Sequence, residues 1–205
     1  MNQNWQDFLA SRGARFEADE TIEFGNTLAE LQAATSDTVL APLTQFGLIR
    51  ATGEDAATFL HNLFSNDVQH LGWDRAERCG FCSPKGRLLA DFLIWREDHD
   101  YLLQLSADIQ PAMLKKLGMY ILRSKVKLSD AGGDIVLLGI AGSGAATAVK
   151  ALGVALPAAP FDVVRFDGGT VIRLDERRSQ LAVRTDAAPQ IWETLASSAR
   201  PVGTP

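Results

Sequence analysis

The 205-residue chain has few of the residues that mark several classes of protein. It holds only two cysteines and three histidines, which excludes a disulfide framework and leaves too few ligands for a convincing four-ligand zinc site. Acidic residues outnumber basic ones by 25 to 20, and the net charge is −5. This balance indicates no general nucleic-acid-binding surface, so we expect no direct nucleic-acid partner.

Long apolar runs are also lacking. No stretch approaches the ~20 apolar residues that span a bilayer, and MNQNWQDFLASRGARF (1–16) has neither the basic nor the apolar region of a secretion signal. Together with the scarcity of cysteine, this predicts a cytoplasmic protein without a membrane partner. The apolar fraction of 46% is ordinary for a soluble globular protein, in one large domain or two small ones.

An order of strand, helix, strands and helix occurs twice along the chain, without residue-level identity between the copies. The first copy begins with the strand FGLIRAT (46–52) and is predicted to hold a helix from about residue 107 to 120, and the second copy begins with IVLLGIA (135–141). Before the first copy, residues 5–34 are predicted to be helical and loosely amphipathic. We therefore predict an α+β fold of two ferredoxin-like units with mixed or antiparallel sheets. The expected domains are an N-terminal helical segment (1–45), a first unit (46–130) and an incomplete second unit (131–205).

The segment CGFCSPKGRLLADFLIW (79–95) raises three candidate chemistries. Cys79 and Cys82 lie on a predicted strand rather than at a helix N-terminus, which favours two small half-buried structural thiols over redox or cluster chemistry. The turn SPKGR (83–87) carries two cations that could meet a carboxylate or phosphate, and the alternative is a solvated hairpin turn. It lacks the glycine density of a nucleotide-binding loop.

Asp91 is the third candidate. In LLADFLIW (88–95) the period-two alternation gives two apolar faces, so we expect the strand to be covered on both sides and the Asp91 carboxylate to be buried. Burying a carboxylate costs several kcal/mol unless it is paired or hydrogen-bonded, and such carboxylates are frequent at functional sites. The alternative is a structural carboxylate paired with an arginine or with backbone amides.

Three further stretches have structural interpretations. GIAGSG (139–144) has the wrong spacing for a dinucleotide-binding loop and predicts a close strand-to-helix packing turn. SNDV (65–68) favours a helix cap over a pocket lining. Arg123 and Lys125 flank Ser124 on what we expect to be a solvated face.

Taken together, four segments resemble the folate-binding family that contains the glycine-cleavage T-protein and its YgfZ relatives, and the YgfZ branch is favoured by the turn Cys82–Arg87. The four segments are FGLIRATGEDAATFLHNLFSNDV (46–68), CSPKGRLLADFLIW (82–95), YILRSKVKLSD (120–130) and VLLGIAG (136–142). The resemblance implies small α+β domains around a central hole that holds tetrahydrofolate or a derivative. It also implies a role in maintaining iron–sulfur proteins and, through them, in tRNA modification.

Carried over residue by residue, Asp91 matches the catalytic aspartate of the T-protein, and Phe46 matches a folate-contacting tryptophan of some YgfZ members. Phenylalanine keeps the stacking face but lacks the indole N–H. Cations at the rim would bind the anionic glutamate tail of folate, and four residues are candidates: Lys85, Arg87, Arg123 and Lys125.

This sequence also departs from the family pattern. The YgfZ segment K-G-C-[FY]-x-G-Q-E is absent, and so is the C-terminal barrel, so Cys82 does not take the role of that segment's cysteine. The abrupt end at VGTP (202–205) favours the interpretation that the chain is a truncated piece of a longer protein rather than a shortened paralogue.

Two functions follow as expectations. The first is a folate-binding accessory protein that supports iron–sulfur cluster assembly or repair. The alternative is an aminomethyltransferase that moves a one-carbon unit to tetrahydrofolate, in which Asp91 would be catalytic. Leu105-Ser106 stands where a T-protein usually has Asn-Ser, which argues against the enzyme. A relic fold that binds nothing is a third, blander interpretation.

Overall fold

A computed structural model describes residues 2–16 and 22–203, and it divides the chain into two compact units. Unit 1 combines Met1–Thr44 with Gly133–Pro205, and unit 2 is Gln45–Gly132. The helices are α1 (Gln3–Ser11), α2 (Thr27–Ser36), α3 (Ala56–Leu63), α4 (Gln110–Gly118), α5 (Ala145–Lys150) and α6 (Ala188–Ala196). The strands are β1 (Arg15–Phe16), β2 (Ile22–Glu23), β3 (Val39–Pro42), β4 (Phe46–Thr52), β5 (Ala76–Cys82), β6 (Leu88–Glu97), β7 (Asp100–Ser106), β8 (Lys127–Asp130), β9 (Ile135–Ala141), β10 (Val163–Phe166), β11 (Gly169–Arg173), β12 (Arg178–Arg184) and β13 (Arg200–Pro201).

Unit 2 is built on one antiparallel sheet with the strand order β5-β6-β7-β4-β8. Without the additional edge strand β5, this is the ferredoxin-like arrangement, because the first strand (β4) lies between the third (β7) and the fourth (β8). The core lies on one face of the sheet, where buried residues of α3 and α4 join those of the strands, including Leu60, Leu117, Phe92 and Ile94. The predicted two-unit α+β fold is confirmed.

Unit 1 repeats this plan with one substitution, which corrects the prediction of a separate N-terminal segment. Its sheet has the order β10-β11-β12-β9-β3-β13, so the N-terminal strand β3 takes the fourth position beside β9. The last strand, β13, then pairs in parallel with β3. Residues 1–44 are therefore an integral part of unit 1, together with the region predicted as the second α+β unit, rather than a separate helical segment.

Helix α1 is held in unit 1 by its aromatic side chains. Trp5 of α1 contacts Trp192 of α6 edge to face at 5.8 Å, and Phe24 stacks on the same indole at 5.6 Å. The helix predicted over residues 5–34 is instead two helices with the short strands β1 and β2 between them, and residues 17–21 of that prediction lie outside the described residues.

The glycines of GIAGSG form a packing turn, as the sequence predicts. Gly142 has φ +107, and a Cβ there would lie 2.2 Å from the carbonyl oxygen of Asp37. The Gly144 N–H donates to the Thr38 hydroxyl at 2.8 Å, in a space that a Cβ would fill. These glycines let the chain leading into β3 approach the β9–α5 turn closely.

Within the described residues, no helix is both long and apolar enough to cross a membrane.

Candidate functional site

Asp91 is exposed, so the prediction of a buried carboxylate is wrong. Its side chain is 72% exposed, and its Oδ2 lies 3.5 Å from a guanidinium nitrogen of Arg78 on the neighbouring strand β5. The reason is that β6 is covered on both faces only from Phe92 to Trp95, whereas the preceding half is covered on one face. The pairing with an arginine corresponds to the structural alternative for this residue.

The sheet register nevertheless brings Asp91 and Phe46 to the same place. Leu93 of β6, Gln104 of β7 and Leu48 of β4 lie directly opposite one another, so their side chains share one face of the sheet. β4 and β6 run in the same direction, and Asp91 and Phe46 each lie two residues before this row. Because side chains alternate between the two faces of a strand, Asp91 and Phe46 lie on the same face as the row. The paired ladder of β6 and β7 ends at Leu93 and Gln104, so Asp91 lies just beyond the last paired row.

This surface has a definite position in unit 2. It occupies the sheet face opposite the α3/α4 core, since Phe46, Leu48, Asp91 and Leu93 are not among the residues that form that core. The Phe46 side chain is partly exposed at 37%. We call this end of the face the Phe46/Asp91 surface.

Lys85 and Arg87 lie at the same end of the sheet. The hairpin turn between β5 and β6 is closed by the Ser83 N–H donating to the Arg87 carbonyl oxygen at 2.8 Å, and Gly86 has φ +74. Both cations are exposed, and neither makes an ion pair with any residue that the structure describes. The two cations are therefore available to bind an anion. Their exposure equally fits the alternative, a solvated hairpin turn without a ligand.

Lys125 is not brought to this surface. The Lys125 Nζ lies 2.7 Å from Glu54 Oε2, and its backbone N–H donates to Asp55 Oδ2 at 2.7 Å. These contacts place Lys125 at the Thr52 end of β4, about 20 Å along the sheet from Phe46. Arg123, two residues earlier in the same loop, is exposed.

Gln104 is a candidate that the sequence analysis did not single out. Its side chain is buried in the row directly behind Asp91 and Phe46, between Leu93 and Leu48. Its side-chain amide carries both donor and acceptor groups in the row behind the Phe46/Asp91 surface. The sequence signal for this candidate is a single glutamine within the apolar strand YLLQLS (101–106). Only the cross-strand register shows that it lies beside Leu93 and Leu48.

The two thiols differ in exposure, which corrects the expectation of two half-buried groups. Cys79 is buried, and burial raises the pKa of its thiol to about 12, with a smaller contribution from Glu77. Cys82 is exposed at the start of the hairpin turn. A buried protonated thiol is inert, so Cys79 is structural.

The SNDV stretch caps the turn that follows α3 rather than α3 itself, whose C-cap is Phe64, and this corrects the expected helix cap. The Asp67 carboxylate accepts the backbone N–H of His70, which ends a single 3-10 turn (Val68–His70), and its hydrogen bond with the His70 ring lowers the pKa of Asp67. The Ser65 hydroxyl accepts the Gly80 N–H at 2.9 Å, which fixes this loop against the edge of β5.

Unit 1 holds a cavity of about 320 Å³ at the N-terminal end of α6, far along the chain from the predicted site residues. Its lining includes Phe166, Asp167, Arg184 and Ile191. Within the described parts of the chain, no three His, Cys, Asp or Glu side chains lie close enough together to hold a metal ion.

Comparison with known proteins identifies relatives at the level of sequence. A protein of Yersinia pseudotuberculosis serotype O:1b (strain IP 31758) named tRNA-modifying protein YgfZ is 28% identical over 163 residues, covering 78% of this chain and 49% of the relative. A protein of the same name from Vibrio vulnificus (strain CMCP6) is 28% identical over 167 residues, covering 82% and 50%. The chain thus spans about half the length of these curated relatives.

Solved structures resemble this chain in fold. The glycine cleavage system aminomethyltransferase T from Bartonella henselae has a TM-score of 0.81 at 18% identity, over 97% of this chain and 58% of that one. The heterotetrameric sarcosine oxidase from Corynebacterium sp. U-96 has a TM-score of 0.58 at 14% identity, over 84% and 90%. Residues 6–204 match the family described as the GCVT N-terminal domain. Because this match covers nearly the whole chain, the protein belongs to the GCVT N-terminal domain family, as its YgfZ-named relatives and T-protein fold also indicate.

Proposed function

We propose that this chain binds a reduced folate at the Phe46/Asp91 surface and acts as an accessory protein of the YgfZ type, which supports iron–sulfur proteins and thereby tRNA modification. The main support is the sheet register, which sets Phe46 and Asp91 on one face at one end of unit 2. The names of the YgfZ relatives support the tRNA-modification part of the proposal.

Each residue at this surface has a chemical role that suits a pterin. The partly exposed Phe46 ring offers a face for stacking on a flat heterocycle. The Asp91 carboxylate accepts hydrogen bonds from ring and exocyclic N–H groups. Lys85 and Arg87, on the hairpin at the same end, offer cations to the glutamate carboxylates of the ligand.

The ion pair with Arg78 does not prevent this role for Asp91. Both side chains are more than half exposed, and the N···O distance is 3.5 Å. An exposed pair of this kind contributes only about 0–1 kcal/mol, whereas hydrogen bonds to a charged group contribute about 1.5–3 kcal/mol. A ligand that donates two N–H groups to the carboxylate therefore displaces Arg78 at little cost.

Calorimetric titration with 5-formyltetrahydrofolate tests the proposal. We expect Asp91→Asn to weaken binding by about 10- to 100-fold, because a charge-assisted hydrogen bond is lost. Lys85→Ala should cost less than about fivefold, since its contact is screened by solvent. Arg78→Gln is the matched control, and it should leave affinity unchanged or slightly raised.

Three outcomes would contradict the folate site. No heat at high micromolar protein would show that this chain does not bind the ligand. A loss in Arg78→Gln equal to that in Asp91→Asn would assign Asp91 a structural role only. A larger loss in Lys85→Ala than in Asp91→Asn would do the same.

The cellular role is tested separately. In a bacterial strain that lacks its own YgfZ-type protein, we expect the chain to restore iron–sulfur enzyme activity and tRNA modification, and Asp91→Asn to restore less. The aminomethyltransferase alternative predicts ammonia release from aminomethylated lipoyl carrier protein and tetrahydrofolate. We expect none, because Leu105 faces the buried core where the enzyme usually has an asparagine.

A further inference from the structure

Unit 2 exposes three large apolar side chains on one short segment. Met119, Tyr120 and Leu122 follow α4 directly, and their exposed fractions are 64%, 43% and 87%. Single exposed apolar side chains are normal, but several together on one turn mark an interaction surface. None of the three belongs to the Phe46/Asp91 surface.

The segment is held in a defined conformation. The N–H groups of Met119, Tyr120 and Ile121 donate to carbonyl oxygens three residues earlier, which continues α4 as a tight turn. The Tyr120 ring packs edge to face on Phe81 of β5 at 5.9 Å. Met119 and Tyr120 therefore project from a preorganised turn, and ordering them costs a partner little entropy. Leu122 follows this turn directly.

The charged residues along this stretch of chain are all basic, although Lys125 contacts the acidic residues Glu54 and Asp55. Residues 110–127 contain five basic side chains and no acidic one, which leaves 15 basic against 25 acidic residues in the rest of the chain. Lys115 and Lys116 lie in the last turn of α4, and Arg123 follows Leu122. On a chain whose net charge is −5, this is a local basic surface with apolar side chains at its centre.

We propose that residues 115–123 form a docking surface for an acidic segment of a partner protein that inserts apolar side chains beside Met119 and Leu122. Protein interfaces place apolar and aromatic anchors at the centre and charged residues at the rim, which is the arrangement here. Complementary charge would steer the acidic segment toward the lysines.

Two other anionic occupants fit less well. A phosphate backbone gains from Lys115 and Lys116 but gives Met119 and Leu122 nothing to contact, since bases stack on aromatic rings rather than on aliphatic side chains. A lipid surface takes up extended amphipathic helix faces, whereas these apolar side chains lie within four consecutive residues and Tyr120 is held against Phe81.

The probe is a fluorescein-labelled peptide in which glutamates alternate with leucines and phenylalanines, titrated with the whole chain at low and high salt. We expect saturable binding that weakens with salt and is lost when glutamine replaces glutamate. Met119→Ser/Leu122→Ser and, separately, Lys115→Glu/Lys116→Glu should each weaken binding at least about tenfold. The second pair keeps the test valid if the first pair disturbs folding.

Leu28→Ser/Leu31→Ser is the matched control, because these leucines are also exposed but lie on α2 of unit 1. It should leave peptide affinity unchanged. Failure of the peptide to saturate, or equal binding of the glutamine peptide, would overturn the proposal. So would binding of phosphatidylglycerol vesicles or a single-stranded RNA 20-mer in place of the peptide, or self-association that depends on Met119 and Leu122. Folate titration of the same variants separates this surface from the folate proposal.

Discussion

At the scale of single residues, the two thiols of β5 give the most direct test of the structure. Cys82 is exposed and Cys79 is buried, with burial raising the Cys79 pKa to about 12. At pH 8, only roughly one Cys79 thiol in 10,000 would be ionised. We expect iodoacetamide to modify one cysteine of the native chain and both after unfolding, as counted by mass spectrometry. Cys82→Ser should abolish modification of the native chain, and rapid labelling of Cys79 would contradict the described packing.

The same thiol makes a prediction about alkaline stability. Because the folded-state pKa of Cys79 is raised from 9.0 to about 12, the folded chain holds its proton more tightly than the unfolded chain does. The resulting stabilisation is complete below pH 9 and is lost as the pH rises toward 12. Urea unfolding should show a smaller alkaline loss of stability for Cys79→Ala than for the parent chain, and equal losses would contradict the assignment.

Residue-level prediction from the sequence succeeded for faces and failed for exposure. Alternation along β6 puts Asp91 on the same face as Leu93 and Trp95, and the structure agrees. The residues that bury this face pack on Leu93 and Trp95 but do not reach Asp91. A local sequence pattern cannot predict this limit, because distant parts of the chain decide which residues of a strand are buried. For the same reason the sequence missed Gln104, whose significance depends on its cross-strand neighbours.

At the scale of elements, the turn between β9 and α5 depends on a glycine. Gly142→Ala would place a Cβ 2.2 Å from the Asp37 carbonyl oxygen at φ +107. We expect a loss of more than about 3 kcal/mol in the free energy of unfolding, since a steric clash adds to the backbone strain. Gly153 has φ +82 but open space around its Cβ position, so Gly153→Ala should cost only about 1–2 kcal/mol. Equal losses in chemical denaturation would show that the close approach is unimportant.

The sequence predicted the strands of unit 2 better than its helix ends. The strand predicted at 46–52 is confirmed because hydrophobic alternation is a local signal. The helix predicted over 107–120 begins at Gln110, with Pro111 in its first turn where a missing N–H is tolerated, and ends at Gly118. Helix α2 has little amphipathic pattern and two exposed leucines, so its limits depend on its cap at Asn26 rather than on periodicity.

At the scale of the whole molecule, unit 1 requires both ends of the described chain. The strand β3 supplies the position beside β9, and the Glu30 carboxylate accepts backbone N–H groups from both Phe24 and Gly203. We expect a chain without residues 1–44 to lose the folding of residues 133–203, because β9 would lack one of its two neighbours and the core would lose Trp5, Leu9 and Leu40. Circular dichroism and amide hydrogen exchange would show this, and retention of protected amides in β9 and β12 would contradict it.

No sequence pattern within residues 1–45 predicts that β3 pairs with β9, since the topology of the fold rather than the strand's own sequence sets its partner. The sequence shows the repeated order of elements, but it does not show that β3 serves as the fourth strand of the second copy.

The pairing of β3 with β9 also sets the order of events during synthesis. Residues 45–132 form a contiguous stretch that leaves the ribosome early, whereas β3 must wait for β9 to emerge, roughly 5–20 s later at ordinary elongation rates. During that interval an apolar strand has no native neighbour. A chaperone that binds nascent chains would therefore find its target in β3.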